Sequence, residues 1–348
     1  MLSVDMLKSI EWVGDRVRWI NTLKIPWEEE IVETEDPERV AIAIERMEIR
    51  GAPAIGVAAA LGVALAATKS RGEDVEKLRQ DLLRVVRRME RTRPTAVNLF
   101  WALKRVESVI RASYTSSSEL RDAVVREALR IYEEDVEINR RIAEVGARLI
   151  EDGDIVLTHC NAGALATVAI GTALGVIRAA WWAGKKIEVI TTETRPMLQG
   201  ARLNVWELTK EGIPVKLITD SMVGYIMSKR LVSKVIVGAD RIVLPGYIIN
   251  KIGTYTIAAL ADRHRIPFYV AAPTSTIDFS SRIEEVVIEE RNPDEVRTVL
   301  SKLYITIPTV RVLNPAFDIT PPELVSAVIT EKGVAEKPLE VSLQKLKS

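Results

Sequence analysis

The stretch DIVLTHCNAGALAT, residues 154–167, marks the point where the sequence changes from helical patterning to alternating strands and helices. An apolar run, IVLT, comes first, and small residues follow it. The stretch contains Cys160, the only cysteine in the chain, and His159, one of two histidines. This pattern predicts a buried strand, a turn at 161–163 and a helix that begins directly after the turn.

Further apolar runs of the same kind follow this one. They are KIEVITT, PVKLITD, KVIVGAD, PFYVAA and EEVVIEE, with helical segments between them. Runs rich in Val and Ile without polar alternation predict strands that are buried on both faces. Strands that alternate with helices predict right-handed βαβ units in an open sheet. We therefore expect an α/β protein whose C-terminal domain is Rossmann-like, with a mainly parallel sheet.

The preceding part of the chain predicts a mostly helical domain with a few short strands. AIGVAAALGVALAAT is apolar on all sides, which is typical of a buried helix. Residues 95–110 predict another helix, and residues 116–150 predict a long one with Ser118 as its N-cap. We place the domain boundary within this long helix. Residues 1–125 are expected to form the N-terminal domain, and residues 126–348 the C-terminal catalytic domain.

Composition narrows the classes of function. Lys plus Arg and Asp plus Glu both number 48, so the net charge is zero, which argues against a general nucleic-acid or membrane-surface binder. The chain lacks an uninterrupted apolar run of about 18 residues, the usual mark of a membrane span. Asp5 and Lys8 lie where a signal peptide has its apolar stretch, and a single cysteine cannot form an intrachain disulfide. We expect a cytoplasmic protein.

Reactive side chains lie at the predicted strand ends, where open α/β sheets bind ligands. Cys160 is expected at a helix N-terminus, which favours the thiolate; the alternative is a small buried apolar residue. Neighbouring residues of a strand point to opposite faces, so His159 is expected to be structural rather than a catalytic partner of Cys160. Asp240 ends the run VIVGAD, where apolar surroundings favour a protonated carboxyl that can act as a general acid; otherwise it caps a turn or pairs with Arg241.

Three further stretches suggest a bound anion. Asn250 and Lys251 precede the helical run TYTIAALADRH and could form an anion pocket with its backbone N–H groups, or be a capping asparagine and a solvated lysine. RGAPAIG, residues 50–56, resembles a phosphate cradle but also suits a simple turn between helices. Arg93 precedes Phe100 and Trp101, which either line an apolar ligand group or pack at the domain interface. Neither a GxGxxG after a strand nor a Walker sequence is present, and the histidines and cysteine lack metal-ligand spacing, so we expect no cofactor or metal.

Eight of these stretches, taken together and in order, resemble one family. They are RGAPAIGVAAALG, RPTAVNLFWAL, THCNAGALAT, ETRPMLQGARL, GADRI, NKIGTY, IPFYVAAPTSTID and NPAFDITP. The chain thereby resembles the methylthioribose-1-phosphate isomerase family from about residue 49 to 333. The same superfamily includes ribose-1,5-bisphosphate isomerases and the regulatory subunits of translation initiation factor 2B, which are the alternatives.

The resemblance implies a reaction and a set of site residues. The reaction is the aldose–ketose isomerisation of 5-methylthio-α-D-ribose 1-phosphate to 5-methylthio-D-ribulose 1-phosphate in methionine salvage, by a homodimer without a cofactor. Its motifs assign catalytic roles to Cys160 and Asp240. They assign substrate binding to Arg50, Gly51, Ala52, Arg93, Gln199, Asn250 and Lys251. The sequence VLPGYII, residues 243–249, departs from the family pattern and could reshape the rim of the site.

Overall fold

The structure, a computed structural model, describes residues 7–93 and 96–347. The described chain divides into two compact units. The first comprises the residues up to Asn139 together with Ala164–Gly171, and the second comprises Arg140–Gly163 and the residues from Thr172 onwards. The division between residues 139 and 140 and the predicted boundary between residues 125 and 126 both fall within one helix, Ser117–Ala147.

The first unit combines a three-stranded antiparallel sheet with long helices. Its elements are β1 (Ile10–Val13), β2 (Arg16–Ile20), β3 (Ile31–Thr34), α1 (Pro37–Glu45), α2 (Ala52–Lys69), α3 (Val75–Glu90), α4 (Val97–Arg111) and α5 (Ser117–Ala147), the last of which continues into the second unit. The predicted mostly helical N-terminal part with a few short strands is confirmed.

Helix α2 forms the centre of the first unit because apolar or small residues cover its whole circumference. Leu61 and Leu65 are fully buried. Gly56 lies directly against α4, where a Cβ atom would be 2.7 Å from the carbonyl oxygen of Asn98. By length and composition α2 could cross a membrane, yet 72% of it is buried inside the protein, as in a core helix.

The starts of two helices differ in detail from the sequence prediction. Helix α5 begins at Ser117, and the hydroxyl of Ser116 accepts the N–H of Glu119 at 3.2 Å. The predicted N-cap at Ser118 is therefore wrong: with three consecutive serines, sequence alone does not fix which one caps. The predicted start of α4 at Thr95 lies outside the described residues.

The second unit contains two larger sheets and shorter helices. Its elements are β4 (Ile155–Thr158), α6 (Ala173–Trp182), β5 (Glu188–Thr192), α7 (Val205–Lys210), β6 (Val215–Ile218), α8 (Val223–Ser228), β7 (Lys234–Val237), β8 (Arg241–Val243), β9 (Tyr247–Lys251), α9 (Thr254–His264), β10 (Phe268–Ala271), β11 (Ile277–Asp278), α10 (Asp294–Arg297), β12 (Thr298–Val299), β13 (Leu303–Tyr304), β14 (Phe317–Thr320), β15 (Ala327–Thr330), β16 (Gly333–Glu336) and α11 (Leu339–Gln344).

The main sheet has seven strands in the order β16-β15-β10-β7-β4-β5-β6. All neighbours pair in parallel except β15 and β16. Counted along the chain from β4, the six parallel strands have the order 3-2-1-4-5-6 of a doubly wound Rossmann sheet. The predicted Rossmann-like, mainly parallel sheet is therefore confirmed. The order reverses between β4 and β7, so their carboxyl ends flank the point at which such sheets bind ligands.

One predicted strand is wrong, and one strand of the parallel part of the main sheet was missed. EEVVIEE, residues 284–290, is not a strand; it contains a short 3₁₀ turn, Ile283–Glu285, and Val287 is 88% exposed. The sixth parallel strand is instead β15, whose four residues are buried. A short apolar run does not reveal whether a sheet lies beside it, so the two segments could not be distinguished by pattern.

The buried position of α2 yields a stability prediction. Leu61→Ala removes a fully buried side chain and leaves a cavity, so the free energy of unfolding is expected to fall by about 2–5 kcal/mol. The control Leu23→Ala truncates a leucine that is 39% exposed, and a much smaller loss is expected. Urea denaturation of both variants measures the difference. Equal losses would contradict the placement of α2 in the core.

Candidate active site

The loops after β4 and β7 meet where the strand order reverses. β4 pairs with β7 in parallel through Leu157 and Val235. Beyond the strands, a Cβ atom on Gly238 would lie 3.0 Å from the Cβ of Ala162, so the two loops are in close contact. Cys160 belongs to the first loop and Asp240 to the second. The sheet therefore brings the two segments that carry the predicted catalytic residues to one edge.

Cys160 has a left-handed backbone conformation, with φ at 64°. Such a conformation is unfavourable for a residue with a Cβ atom. Two side chains hold it in place. The backbone N–H of Cys160 donates to Thr194 Oγ1 at 3.0 Å, and its carbonyl oxygen accepts from Asn204 Nδ2 at 2.6 Å. The chain thus leaves the direction of β4 at Cys160.

The helix predicted directly after Cys160 is not present. The small-residue segment contains a short 3₁₀ turn, Ala164–Ala166, and α6 begins only at Ala173. Gly163 has no space for a larger side chain, because a Cβ atom would lie 2.2 Å from the carboxylate of Glu207. The expectation that Cys160 lies at a helix N-terminus is therefore wrong, and the thiol has other neighbours.

A carboxamide contacts the thiol instead. Cys160 is half-buried, and Gln199 Nε2 donates to its sulfur at 3.4 Å. Gln199 is fully buried and immediately precedes a π-helical turn, Gly200–Asn204. An N–H donor at this position orients the sulfur and stabilises negative charge that develops on it.

The π-helical turn lies against the end of β5. Val205 N–H donates to the carbonyl of Gly200, five residues back, which defines the wide turn. A Cβ atom on Gly200 would be 1.9 Å from the carbonyl oxygen of Thr192 and 2.9 Å from Thr194 Oγ1. Only glycine allows this approach, and the approach brings Gln199 to the thiol.

A buried polar network supports the loop that contains Cys160. Asn161 Nδ2 donates to Asn204 Oδ1 at 2.9 Å and to Glu207 Oε1 at 2.8 Å. Arg178 is fully buried and pairs with Glu207 at 2.8 Å and with Glu211 at 2.7 Å. Because removal of one member would leave a buried charge without its partner, this network is a strong constraint on the loop.

His159 has a structural position. Its ring is buried, Nε2 lies 2.9 Å from the carbonyl oxygen of Ile252, and Nδ1 lies 2.6 Å from Thr192 Oγ1. A carbonyl only accepts, so Nε2 carries the proton and the threonine hydroxyl donates to Nδ1. Burial lowers the pKa of His159 below its usual 6.5, since it opposes the charged form. The ring links β4 to β5 and to the turn before α9.

Asp240 lies in the short connection between β7 and β8 and is half-buried. Its N–H donates to the carbonyl of Ile249 at 3.0 Å, which fixes it beside the antiparallel pair β8–β9. The guanidinium of the neighbouring Arg241 pairs with Asp278 and Ser281. The departing sequence VLPGYII forms the turn between β8 and β9 together with parts of both strands.

Asn250 and Lys251 end β9, two residues before α9 begins. Asn250 is buried, with Nδ2 3.0 Å from Thr254 Oγ1. The Lys251 ammonium donates to the carbonyl of Ala316 at 2.7 Å and lies 4.8 Å from the Phe317 ring centroid. The motif NPAFDITP is thus packed against NKIGTY.

Asp318 is a residue that the sequence analysis missed. Its carboxylate accepts the N–H groups of Gly253 and Tyr255 at 2.7 and 3.1 Å, which caps α9. Burial raises its pKa to about 6, against the opposing effect of these hydrogen bonds.

Thr194 and Asn204 were also missed. They are uncharged, and the sequence contains no signal that they bind the backbone of Cys160.

The remaining predicted binding residues belong to the first unit. Gly51 has φ at 88°, and a Cβ atom there would lie 2.1 Å from the carbonyl oxygen of Ala166. It is the N-cap of α2, and Ala52 is the first residue of that helix. Arg50 precedes this turn and is half-buried. An arginine next to the N-terminus of a helix suits an anion.

Arg93 and the two candidate aromatic residues also lie in the first unit. Arg93 is half-buried and its carbonyl accepts the N–H of Ala96 at 3.0 Å. Phe100 and Trp101 are on α4 and partly exposed, and the Trp101 ring lies 4.9 Å from the guanidinium carbon of Arg105. Among the predicted site residues, Cys160 and Gln199 are in direct contact through a hydrogen bond.

The fold and the strand-end thiol define a class: a two-unit α/β protein with a doubly wound sheet and reactive groups at its switch point. The chain belongs to the initiation factor 2 subunit family, whose model matches residues 48–337.

Individual relatives are more specific. A methylthioribose-1-phosphate isomerase of Thermotoga neapolitana is 51% identical over 340 residues, which are 97% of this chain and 98% of the relative. The crystal structure of 5-methylthioribose 1-phosphate isomerase from Pyrococcus horikoshii OT3 is 41% identical and superposes with a TM-score of 0.93, covering 99% of this chain and 96% of the other. The resemblance found in the sequence is thereby confirmed.

A third similar protein has a different name. A crystal structure described as translation initiation factor eIF-2B, subunit delta, from A. fulgidus is 49% identical, with a TM-score of 0.89 and coverage of 98% of this chain and 99% of the other. Two functional names therefore occur among similar proteins, and the chemistry of the site must distinguish them.

The buried His159 predicts a pH dependence of stability. Its pKa is lower in the folded protein than the 6.5 of the unfolded chain, so below pH 6.5 the unfolded chain binds a proton that the native state does not. The neutral His159 ring contributes fully to the free energy of unfolding above pH 6.5. This contribution decreases as the pH falls below 6.5, by at most about 1.4 kcal/mol per pH unit. His159→Gln lacks this titration.

Urea denaturation of wild type and His159→Gln between pH 5 and about 8 measures the effect. The difference in free energy of unfolding between them is expected to shrink as the pH falls. Taking the difference cancels titrations common to both proteins, including that of Asp318. A difference that does not vary with pH would contradict a buried neutral histidine.

Proposed function

We propose that the protein isomerises 5-methylthio-α-D-ribose 1-phosphate to 5-methylthio-D-ribulose 1-phosphate, an aldose–ketose isomerisation in methionine salvage. The observation that carries the proposal is the Cys160 thiol, held at the switch point of the sheet with the Gln199 amide on its sulfur. Identity of 51% over nearly the whole length of a methylthioribose-1-phosphate isomerase supports the choice of substrate.

The substrate poses a problem of ring opening, because its anomeric carbon carries a phosphate and cannot open as a free sugar does. Asp240, which is half-buried, acts in its acid form as the general acid and donates a proton to the ring oxygen as the bond from that oxygen to C1 breaks. The ring oxygen becomes the C4 hydroxyl. This role requires only one carboxyl group within reach of the ring.

Hydrogen then moves from C2 to C1, and the C2 hydroxyl loses its proton as the ketone forms. Two routes balance: the Cys160 thiolate carries the hydrogen as a proton through an enediol, or it passes directly as hydride while Cys160 stabilises the transition state. In both routes C2 is oxidised and C1 is reduced by the same two electrons. The reaction therefore needs no external redox cofactor.

Substrate binding is proposed for the residues that the motifs assign. In the first unit, Arg50, Arg93 and the amides of Gly51 and Ala52 are the candidates for binding the phosphate, and in the second unit Lys251 is the cationic candidate. Gln199 and Asn250 complete the set as hydrogen-bonding groups. Phe100 and Trp101 are candidates for contact with the methylthio group, because both present apolar surface.

Activity measurements on matched variants test the proposal. Cys160→Ser and Asp240→Asn are nearly isosteric, so each is expected to fold normally and to lower kcat by about three orders of magnitude or more. Conversion of 5-methylthioribose 1-phosphate by the purified proteins is followed by NMR. Ser221→Ala, which removes an exposed hydroxyl in the 3₁₀ turn Asp220–Met222, is the control and is expected to retain wild-type activity.

The other outcomes identify the alternatives. Turnover of ribose 1,5-bisphosphate instead would leave the site in place and overturn the substrate. Binding of the sugar phosphate without turnover would favour a regulatory subunit, as the name of the similar protein from A. fulgidus suggests.

We also propose that the protein is a cytoplasmic homodimer. Supporting this, a segment of the second unit presents exposed apolar side chains close together in sequence: Leu303, Tyr304, Ile305, Ile307, Val310 and Leu313. Monomers rarely leave such a patch in water, and a second copy of the chain could cover it. The single cysteine and the balance of charges support a cytoplasmic location.

A single charge in that segment tests the dimer. Ile307 is 70% exposed, and Ile307→Asp is expected to raise the dimer dissociation constant by about tenfold or more, since it places a charge in an apolar interface. Leu217→Asp is the matched control, on an exposed leucine of β6. Analytical ultracentrifugation measures both. A wild-type monomer, or equal effects of the two variants, would contradict the proposal.

A further inference from the structure

We infer that Asn204 is a positioning residue for the Cys160 thiol, placed there by the π-helical turn Gly200–Asn204. The inference deepens the proposed function and rests on it for its kinetic consequences. Its structural consequence, the reactivity of the thiol, can be measured without turnover.

The first support is the backbone of Cys160. A residue at the end of a strand ordinarily continues in the extended conformation, yet Cys160 has φ at 64°. Its N–H and carbonyl bind side chains, those of Thr194 and Asn204, at 3.0 and 2.6 Å. An unfavourable conformation persists only where its surroundings determine it, and these two side chains do so.

The second support is the fixed orientation of the Asn204 carboxamide. Asn204 is fully buried, and three groups bind its amide. Its Nδ2 donates to the carbonyl of Cys160 and to Thr191 Oγ1 at 3.0 Å, and its Oδ1 accepts from Asn161 at 2.9 Å. A rotated amide would present its oxygen to the Cys160 carbonyl, so only one orientation satisfies all three partners.

The third support is the spacing of Gln199 and Asn204. They are five residues apart, and an α-helical turn would direct them to different faces, whereas the wider π-helical turn brings residues five apart closer to one face. Both carboxamides therefore contact the same residue: Gln199 donates to the sulfur of Cys160 and Asn204 to its carbonyl. π-Helical turns occur frequently at functional sites. This one holds Cys160 at two points, the sulfur and the backbone carbonyl.

Loss of the Asn204 amide is expected to release Cys160 from the left-handed conformation. The sulfur then loses its contact with Gln199 Nε2, which stabilises negative charge on it. Alkylation by iodoacetamide reports this directly, because Cys160 is the only cysteine and every adduct is on that thiol. The attacking species is the thiolate.

The experiment compares Asn204→Ala with Asn139→Ala. Both asparagines are fully buried, but Asn139 lies in α5 and binds the Asp135 carbonyl. At neutral pH, Asn204→Ala is expected to slow alkylation by about tenfold, the size of one lost hydrogen bond to a charged group. It is also expected to lower kcat by about a hundredfold with KM changed less than about threefold. Asn139→Ala is expected to leave the alkylation rate unchanged.

A second variant keeps the test decisive if Asn204→Ala does not fold. In Asn204→Asp a protonated carboxyl can still donate to the Cys160 carbonyl, whereas a carboxylate repels it. The alkylation rate of Asn204→Asp relative to wild type is therefore expected to recover as the pH falls. A constant ratio across pH, or wild-type alkylation by Asn204→Ala, would overturn the inference. If the Asn204 variants show the expected changes in alkylation rate but the wild-type protein does not turn over the sugar phosphate, the proposed function alone would be overturned.

Discussion

The left-handed backbone of Cys160 is the constraint on which the rest of the site depends. Strand β4 delivers the chain to the point where the strand order reverses, and the conformation of this one residue directs the chain away from the sheet. Its N–H and carbonyl are no longer available to neighbouring strands. Buried backbone groups need partners, so the segment after β5 must supply them. The position of that segment in turn fixes Gln199 on the sulfur.

The cost of this arrangement is offset by buried polar contacts rather than by apolar packing. Asn161, Asn204, Glu207 and Arg178 form a connected set behind the loop, and Gly163 and Gly200 allow the close approaches that it requires. Such a set is stable only when complete, because each member satisfies another. A substitution in this set would therefore shift the position of the Cys160 thiol. In this way residues that do not contact a substrate could change the rate of the reaction.

Sequence predicted the repeating and apolar features of the fold. The runs that became β4, β5, β6, β7 and β10 are dense in Val and Ile, and their alternation with helices implied a parallel sheet. The predicted position of Cys160 and Asp240, shortly after two strands of the parallel sheet, also agrees with the structure. What failed depended on contacts distant in sequence: EEVVIEE finds no sheet beside it, and the chain after Cys160 makes a left-handed turn where a helix was expected. The proposed role of Asn204 depends on a π-helical turn, and neither composition nor residue spacing predicts such a turn.

Protection of the Cys160 thiol from alkylation by the sugar phosphate is the first measurement to make, because it asks whether the substrate binds at this thiol. Cys160 is the only cysteine, so mass spectrometry after iodoacetamide treatment reports its occupancy without ambiguity. Saturating 5-methylthioribose 1-phosphate is expected to slow alkylation by about tenfold or more, because ligand and reagent compete for one site. Inorganic phosphate at the same concentration is expected to protect weakly. Alkylation at an unchanged rate would contradict the claim that Cys160 belongs to the sugar-phosphate site.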